Sequence, residues 1–213
     1  MNKFLPTIIL GAGGHARVLI DALQLNGYNI MGLVDNDVDK IDGSILGIPV
    51  IGSDTVIYNY SPVEVQLVNG LGSISSTVMR ERLYKTFKTF GYQFISIVHP
   101  SAIIARNVQL HEGIQVMAGA VIQTDSYIGE NSIVNTKASV DHECRIGSHV
   151  HIAPGAILSG GVQVGDGVHI GTGATIIQGV KIGQGSLIAA GAVVVRDVPP
   201  GVTVMGVPGK VVQ

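Results

Sequence analysis

Residues that could carry out chemistry concentrate between positions 140 and 151, in the stretch VDHECRIGSHVH. The stretch holds His142, His149 and His151, together with Glu143 and the chain's one cysteine. Imidazole titrates near neutral pH and a neighbouring carboxylate can orient its ring, so the cluster could supply a general base. It could also bind a metal or lie unused on a surface. The backbone around the cluster decides between these interpretations.

A metal site is disfavoured here. Structural and catalytic metal sites need ligands that converge on one point. His142 and Glu143 are adjacent in the chain, and His149 lies further along it. Cys144 falls at a small, inward position of the repeat described next, which favours core packing over a reactive thiol. We therefore predict no metal.

The cluster belongs to a six-residue repeat that begins at Val98. Every sixth residue from Val98 to Val194 is Val, Ile or Leu, in an unbroken series of seventeen. Four places after each comes a second register of small or aliphatic residues, such as Ala138 and Cys144. This pattern predicts a hexapeptide β-helix. Three hexapeptides form one triangular coil, so residues eighteen apart lie above one another.

A third register predicts the corners of the coils. From Asn107 to Gly191, the residue three places after each aliphatic residue is as a rule Gly, Asn or Asp, the residues that best tolerate a positive φ. The pattern breaks at three successive corners only, which carry Lys137, Glu143 and His149. Bulky residues in costly backbone conformations often mark a functional site. The break therefore argues against a non-catalytic β-helix that only binds or supports a partner.

The eighteen-residue register also pairs residues of neighbouring coils. His151 and His169 form one such pair. One coil after His142 comes Gly160, the one residue of its register without a side chain. We interpret Gly160 as a vacancy beside His142, with room for a substrate or a thioester. The alternative is that Gly160 and Gly161 merely ease a corner.

Composition excludes several classes of function. The 213 residues have a formal net charge of −2 and 13% charged residues, so no basic face is available for nucleic acid. Mean hydropathy is +0.42, but no apolar run approaches the roughly 18 residues of a membrane-spanning helix. A single cysteine forms no internal disulfide, which is consistent with the reducing cytoplasm.

The first 95 residues follow a different pattern. The apolar segments TIILG, IMGLVD and VEVQLVNG read as strands, and they alternate with helical spacing in GGHARVLIDALQLNGY and STVMRERLYKTFKTFG. This alternation predicts a small Rossmann-like α/β domain with a parallel sheet. The predicted organisation is an α/β domain over 1–95, a β-helix over 96–198 and a closing segment over 199–213.

The turn GAGGHAR, between the first strand and helix, is typical of a dinucleotide-binding loop, with Asp35 about twenty residues further on. It lacks the last Gly of G-x-G-x-x-G, and the sheet is too short for two mononucleotide halves. An NAD-dependent enzyme is therefore the least favoured alternative. The segment NGLGS, residues 69–73, is a second strand-to-helix turn that opens on the same side.

Nearly the whole chain resembles a known family. The segments ILGAGGHARVL, HPSAII, NTKASVDHECRIG and GVPGK are similar to those of sialic-acid O-acetyltransferases and of bacterial sugar N-acetyltransferases that act on UDP- or GDP-linked 4-amino sugars. The resemblance implies a left-handed β-helix and a homotrimer with acetyl-CoA bound between subunits. It also implies that His142 is the general base, that Glu143 polarises it, that His151 lies near the acetyl carbonyl, and that Asn135 lines the site.

The resemblance assigns the two substrates to different halves. It implies that the nucleotide-sugar meets Gly13, Gly14, His15, Asp35, Asn69 and Gly70. Acetyl-CoA is expected along His151, Gly160, Thr172, Ala190 and Lys210. In this expectation Thr172 and Ala190 follow Gly160 at the same corner register, and Gly161, Gly173 and Gly191 leave backbone amides open. For Lys210 the alternative is a simple cap on the end of the β-helix.

These observations together predict an acetyl-CoA-dependent N-acetyltransferase that acts on a UDP- or GDP-linked amino sugar, for bacterial surface glycan or glycoprotein synthesis. A positioned base would take the proton of the sugar amine as the nitrogen attacks the thioester. An O-acetyltransferase acting on a sialic-acid-like sugar is the close alternative, since the same base could serve a hydroxyl.

Overall fold

The computed structural model describes residues 5–212. The chain begins with a three-stranded parallel sheet in the order β2-β1-β5, formed by β1 (Thr7–Leu10), β2 (Ile30–Val34) and β5 (Gln66–Asn69). Two helices, α1 (Gly14–Leu25) and α2 (Val78–Thr89), pack against it, and β3 (Ser44–Ile45) pairs with β4 (Ile48–Pro49) as a small hairpin. Short 3₁₀ turns span Val38–Lys40 and Asp54–Asn59. We call this part the front domain.

Helix α1 forms where the sequence places apolar residues on one face. Ala16, Leu19, Ile20 and Leu23 are fully buried, and this spacing fits the 3.6-residue period of an α-helix. The helix ends at Leu25 with Asn26 as its C-cap, and Gly27 follows with a φ of +76°. The buried face fixes α1 above the sheet, so its first turn lies at the carboxyl ends of β1 and β2.

The repeat forms the predicted parallel β-helix, and seventeen two-residue strands follow one another at intervals of six residues. They are β6 (Ile97–Val98), β7 (Ile103–Ile104), β8 (Gln109–Leu110), β9 (Gln115–Val116), β10 (Val121–Ile122), β11 (Tyr127–Ile128), β12 (Ile133–Val134), β13 (Ser139–Val140), β14 (Arg145–Ile146), β15 (His151–Ile152), β16 (Ile157–Leu158), β17 (Gln163–Val164), β18 (His169–Ile170), β19 (Thr175–Ile176), β20 (Lys181–Ile182), β21 (Leu187–Ile188) and β22 (Val193–Val194). The register of eighteen is confirmed by pairs such as His151 with His169.

The three sides of the β-helix differ in character. The docking face, β24-β23-β21-β18-β15-β12-β9-β6, carries the front domain; the other two are the apolar face, β22-β19-β16-β13-β10-β7, and the polar face, β20-β17-β14-β11-β8. Beyond the repeat, β23 (Thr203–Met205) and β24 (Lys210–Val211) form an antiparallel pair at the end of the docking face. The second residue of each strand points inward, and these aliphatic residues build the core.

Three corners join the faces, and we number them in chain order. The first corner, between docking and apolar faces, includes residues 135–138; the second, between apolar and polar faces, includes 141–144; the third, between polar and docking faces, includes 147–150. The predicted left-handed corner positions all have positive φ, including Lys137 at +56°, Glu143 at +58° and His149 at +59°. The corner prediction is therefore confirmed.

The front domain is held on the docking face by polar contacts as well as apolar packing. Arg80 of α2 is 1% exposed, and its Nε donates to the carbonyl of Asn131 at 3.1 Å. Its Nη1 donates to the carbonyls of Asn69 and Leu71, at 2.8 and 2.7 Å. Gln115 on β9 donates to the Asn69 carbonyl at 2.7 Å. No helix within residues 5–212 has the length and apolar character needed to cross a membrane.

Candidate active site

A cavity of about 820 Å³ lies between the front domain and the first corner of the β-helix. We call it the interdomain cavity. Its lining combines residues of both parts: Gly13, Gly14, His15, Val18, Asp35, Lys40, Gly70, Leu71, Gly72, Ser73 and Ile74 from the front domain, and Asn135, Thr136, His151, Ala153, Pro154, His169 and Thr172 from the β-helix. Residues of both domains therefore line one cavity.

The first turn of α1 offers the cavity unpaired backbone donors. The N–H groups of Gly13, Gly14 and His15 have no acceptor among residues 5–212, and no side chain caps the helix. A β-carbon built on Gly13 or Gly14 meets nothing within 4 Å. Unpaired N–H groups and the positive end of a helix dipole suit a phosphate group. This geometry fits the predicted approach of a diphosphate.

Asp35 lines the cavity, but its carboxylate is already hydrogen-bonded within the front domain. Oδ2 accepts from the Ala12 N–H at 2.8 Å and from Lys40 Nζ at 3.1 Å, and Oδ1 accepts from the Asp37 N–H at 2.9 Å. These hydrogen bonds lower the pKa of Asp35 more than burial raises it. Asp35 therefore fixes the glycine turn from the end of β2.

Asn69 and Gly70 differ from each other in position. Gly70 lines the cavity, whereas Asn69 is 2% exposed and does not. The Asn69 amide donates to the Arg80 carbonyl and to Asn131 Oδ1, at 3.0 and 3.1 Å. The Asn69 side chain joins the front domain to the third corner and does not line the cavity, which argues against its expected contact with the substrate.

His15 faces the cavity in a fixed orientation. Gln115 donates its amide to the Asn69 carbonyl, so its Oε1 is the atom that faces His15 Nε2 at 2.7 Å. His15 therefore donates from Nε2 and keeps Nδ1 as an acceptor. Burial, together with the nearby buried Arg80 cation, lowers the pKa of His15 to about 4. The ring is neutral at physiological pH.

Two histidines, one above the other on neighbouring coils, form the β-helix side of the cavity; we call them the stacked histidines, and their rings meet edge to face. His151 and His169 are each 5% exposed, and their ring centroids lie 5.0 Å apart. Asn135 Nδ2 lies 3.0 Å from His151 Nε2. Burial lowers the pKa of both rings, that of His151 to about 2, with additional contributions from His169, His15 and Arg80. The structure thus brings the predicted residues Asn135 and His151 together.

His142 and Glu143 form the predicted pair at the second corner. His142 Nδ1 lies 2.9 Å from Glu143 Oε2, so Nδ1 carries the proton and Nε2 keeps its lone pair. Both side chains are exposed, at 48% and 70%. A carboxylate that holds an imidazole in this tautomer prepares Nε2 to accept a proton. The pair does not line the interdomain cavity, because the whole apolar face separates the first corner from the second.

The predicted vacancy at Gly160 is filled by His142 itself. A β-carbon built on Gly160 would lie 2.5 Å from both Cε1 and Nε2 of His142. The missing side chain therefore makes room for the imidazole, and the space beside it is not a free slot for a thioester. This corrects the interpretation of Gly160 as an open acetyl-CoA contact.

The expected acetyl-CoA residues do not share one corner. Thr172 lines the interdomain cavity, and Ala190 follows it one coil later on the first corner, whereas Gly160 belongs to the second. Lys210 lies on β24, outside that cavity. The amides of Gly161, Gly173 and Gly191 are not open, because each donates to a carbonyl of the previous coil at 2.8 to 3.0 Å.

Contacts in the structure explain two of the three bulky corners. Glu143 orients His142, as described. His149 is 4% exposed, accepts at Nδ1 from Asn131 at 3.0 Å, and packs edge-on against Tyr84 of α2 at 5.6 Å between ring centroids. His149 therefore belongs to the contact between the domains. Lys137 is exposed on the first corner.

Cys144 is fully buried, as its register predicts. Burial raises the pKa of its thiol to about 11, so it is not a thiolate nucleophile. Among residues 5–212 no group of three or more His, Cys, Asp and Glu side chains is arranged to hold a metal ion.

Sequence reasoning missed four residues that build the cavity. Ser73 bonds to both stacked histidines, Thr136 and Lys40 line the wall, and Arg80 supports the 69–73 turn from below. Ser73 ends the NGLGS turn that the sequence singles out, but the contacts of all four residues depend on how the front domain docks. His169 was identifiable, since it lies eighteen residues after His151.

Comparison with known proteins agrees with this architecture. Residues 7–87 match the PglD N-terminal domain, and residues 161–196 match the bacterial transferase hexapeptide family. The chain is 31% identical to GDP-perosamine N-acetyltransferase of Escherichia coli O157:H7 over 155 residues, which cover 71% of this chain and 69% of that protein.

Two solved structures are similar over nearly the whole chain. The acetyltransferase domain of PglB from Neisseria gonorrhoeae FA1090 superposes with a TM-score of 0.92 at 34% identity, covering 98% of this chain and 100% of that one. PerB from Caulobacter crescentus, solved with CoA and GDP-perosamine, gives 0.90 at 38% identity, covering 98% and 97%. The chain therefore belongs to the bacterial sugar acetyltransferases that join a PglD-type N-terminal domain to a hexapeptide-repeat β-helix, and it is an acyltransferase.

Proposed function

We propose that the protein transfers the acetyl group of acetyl-CoA to the amine of a nucleotide-linked amino sugar. The observation that carries this proposal is the interdomain cavity, which connects the unpaired N–H groups of α1 to Asn135 and His151. A nucleotide diphosphate at the helix end would place its sugar toward the β-helix. The relatives support the chemistry, since one is named a GDP-perosamine N-acetyltransferase and PglB has been solved with acetyl coenzyme A.

His142 is the proposed general base. Its Nε2 takes a proton from the sugar amine as the nitrogen attacks the thioester carbon and forms the C–N bond. The tetrahedral intermediate then collapses, the C–S bond breaks, and the CoA sulfur leaves with the proton held by His142. Glu143 supports the imidazolium through Nδ1. General-base catalysis of this kind contributes about 10² to 10⁴ in rate. No acyl-enzyme is required, which agrees with the burial of Cys144.

We propose that the two parts of the site come from two chains. In one chain His142 lies at the second corner, and Asn135 and His151 lie at the first, with the apolar face between them. The outward residues of that face are Ile103, Val121, Ser139, Ile157, Thr175 and Val193, and Ile103 and Ile157 are 61% and 48% exposed. We propose that three chains pack through this face as a homotrimer. That arrangement sets the second corner of one chain against the first corner of its neighbour.

The proposed acetyl-CoA site lies along this junction. Thr172 and Ala190 are exposed along the first corner, beside the cavity, and His151 and His142 would face each other from neighbouring chains. Lys210 is exposed further along the docking face. The proposed compartment is the cytoplasm, which a single buried, reduced cysteine supports. The proposed product enters bacterial surface glycan or glycoprotein synthesis.

The decisive experiment is an acetyl-transfer assay that detects the free CoA thiol, run across GDP- and UDP-linked amino sugars. Matched deaminated sugars and sialic acid serve as the control panel. We expect turnover with an amino sugar and none with its deaminated counterpart. Turnover confined to hydroxyl acceptors would replace the proposal with the O-acetyltransferase alternative.

A further inference from the structure

Ser73 stands between the two stacked histidines of the cavity. It belongs to the turn after β5 in the front domain, whereas His151 and His169 lie on β15 and β18 of the β-helix. Ser73 Oγ lies 2.6 Å from His151 Nδ1 and 3.0 Å from His169 Nδ1. One hydroxyl thus connects both rings across the domain boundary.

The amide of Asn135 sets the direction of this network. Its Oδ1 accepts from the Thr136 N–H at 2.8 Å, so Nδ2 is the atom that faces His151. Nδ2 donates to His151 Nε2 at 3.0 Å. His151 therefore accepts at Nε2 and carries its proton on Nδ1, provided that the ring is neutral. Burial keeps it neutral by lowering its pKa to about 2.

The remaining proton positions of this hydrogen-bond network follow from matching donors with acceptors. His151 Nδ1–H donates to Ser73 Oγ, and the one Ser73 hydroxyl proton is then left for His169 Nδ1. Burial also lowers the pKa of His169, so this ring is neutral and carries its proton on Nε2. The two stacked histidines thus adopt opposite tautomers.

The free end of the network opens into the cavity. Among residues 5–212, Arg80 Nη2 is the one buried side-chain nitrogen or oxygen without a partner. His169 Nε2 has no partner among these residues either, so it is accessible, and His169 lines the cavity beside Pro154 and Thr172. His151 cannot play this part, because both of its nitrogens are engaged.

We propose that His169 Nε2–H is the side-chain donor to the thioester carbonyl oxygen, and that Ser73 is the positioning residue that fixes its tautomer. The assignment of the acceptor rests on the proposed acetyl transfer. His169 lies one coil beyond His151, on the Thr172 side and away from the diphosphate end of the cavity. The carbonyl oxygen gains negative charge when the amine attacks, and a donor placed there stabilises that charge. The family resemblance implies that His151 lies near the acetyl carbonyl. The hydrogen bonds instead leave His169 as the histidine with a free donor.

Histidine tautomers can be read directly by long-range ¹H–¹⁵N spectra of protein labelled at its histidines. We expect His151 to be neutral with its proton on Nδ1, and His169 to be neutral with its proton on Nε2. The variants His151→Asn and His169→Asn assign the two signals. A spectrum with His151 protonated on Nε2 would overturn the inference, whatever the activity of the protein.

Two matched pairs of variants test the role in catalysis. His169→Gln keeps an N–H near the Nε2 position, whereas His169→Asn keeps a contact near Nδ1 and loses the outward donor. We expect kcat to be at least about tenfold higher for Gln than for Asn, with similar KM values for the nucleotide-sugar. Ser73→Ala should lower kcat, and Ser73→Thr, which keeps the hydroxyl, should restore it.

The outcomes separate this inference from the proposed function. Equal kcat for the Gln and Asn variants, in a protein with normal wild-type turnover, would overturn the donor role alone. If the wild-type protein transfers acetyl to no sugar, the proposed function is overturned, and so is the thioester carbonyl as the acceptor of the His169 N–H. In that case the spectra would still show which ring nitrogens of His151 and His169 carry the protons.

Discussion

The imidazole of His142 lies directly over Gly160 of the next coil, where a β-carbon would approach Cε1 and Nε2 to 2.5 Å. The glycine is therefore a steric requirement of the proposed base. Gly160→Ala should push the ring away from its position and lower kcat by about tenfold or more, while the coil stays folded.

Gln178 occupies the same register one coil later and is exposed, so Gln178→Ala is the matched control and should keep wild-type kcat. Steady-state kinetics and thermal denaturation on both variants check this. In a His142→Ala background Gly160→Ala should cause no further loss; an additive loss would contradict the steric explanation.

His142→Ala should lower kcat by about 10² to 10⁴, because a positioned base is lost. The side chain is 48% exposed, so the melting temperature should stay unchanged. Glu143→Gln should cost less, because Glu143 orients the base and transfers no proton itself. Single-turnover rates of acetyl transfer measure both effects. A His142→Ala enzyme with more than a tenth of wild-type kcat would refute the base assignment.

Co-expression of two inactive variants tests whether the site is shared. A mixed trimer of His142→Ala and Asn135→Ala chains contains junctions where both residues are intact. Random mixing should restore activity at about a quarter of the sites. Each variant expressed alone is the control and should remain inactive. If one chain held the complete site, mixing would restore nothing.

The buried histidines make the protein sensitive to acid. The pKa of His15 is lowered to about 4 and that of His151 to about 2, against about 6.5 in the unfolded chain. Below pH 6.5 the unfolded state takes up protons that the folded state does not. The free energy of unfolding should therefore be flat above that pH and fall below it, by about 2 kcal/mol for each of these rings at pH 5.

Urea denaturation between pH 4.5 and 8 measures this dependence. His15→Gln removes one of the two rings and should flatten the slope between pH 5 and 6.5. A wild-type protein that becomes more stable on acidification over this range would contradict the buried, neutral state of these histidines.

A substitution at Gly14 should affect binding of the nucleotide-sugar without lowering the stability of the fold. It is the first residue of α1, and a β-carbon there meets nothing within 4 Å, so Gly14→Ala should leave the melting temperature unchanged or raise it. The added methyl group projects toward the expected diphosphate and should raise KM for the nucleotide-sugar. KM for acetyl-CoA should not change and serves as the internal control. The opposite pattern would place the nucleotide-sugar elsewhere.

Much of this fold could be predicted because the repeat leaves little freedom. Each aliphatic residue from Val98 to Val194 points inward, and each glycine-like position forms a corner, so the sequence determines the coils locally. The six-residue period does not tell which of the three corners a residue occupies. That assignment requires the full period of eighteen residues. Grouping Gly160 with Thr172 overlooked that they are twelve residues apart, which is two corners.

The contacts between domains could not be predicted in the same way. The pairing of His149 with Tyr84, and of Ser73 with His151, depends on how the front domain docks. The left-handed conformation of His149 was visible in the sequence, but its cause was not. Local strain indicated an unusual environment without distinguishing a catalytic residue from one that holds two domains together.

The threefold shape of the coil has a consequence for changes in chain length. An insertion of six residues within the β-helix would keep every aliphatic side chain inward and every corner glycine at a corner. It would also rotate all later coils by one face. Thr172 would then leave the cavity, and a residue of another corner would take its place. Such a protein would fold and melt normally, yet lack a site. Only changes of eighteen residues preserve both core and cavity, so natural length variants of this fold should differ by whole coils.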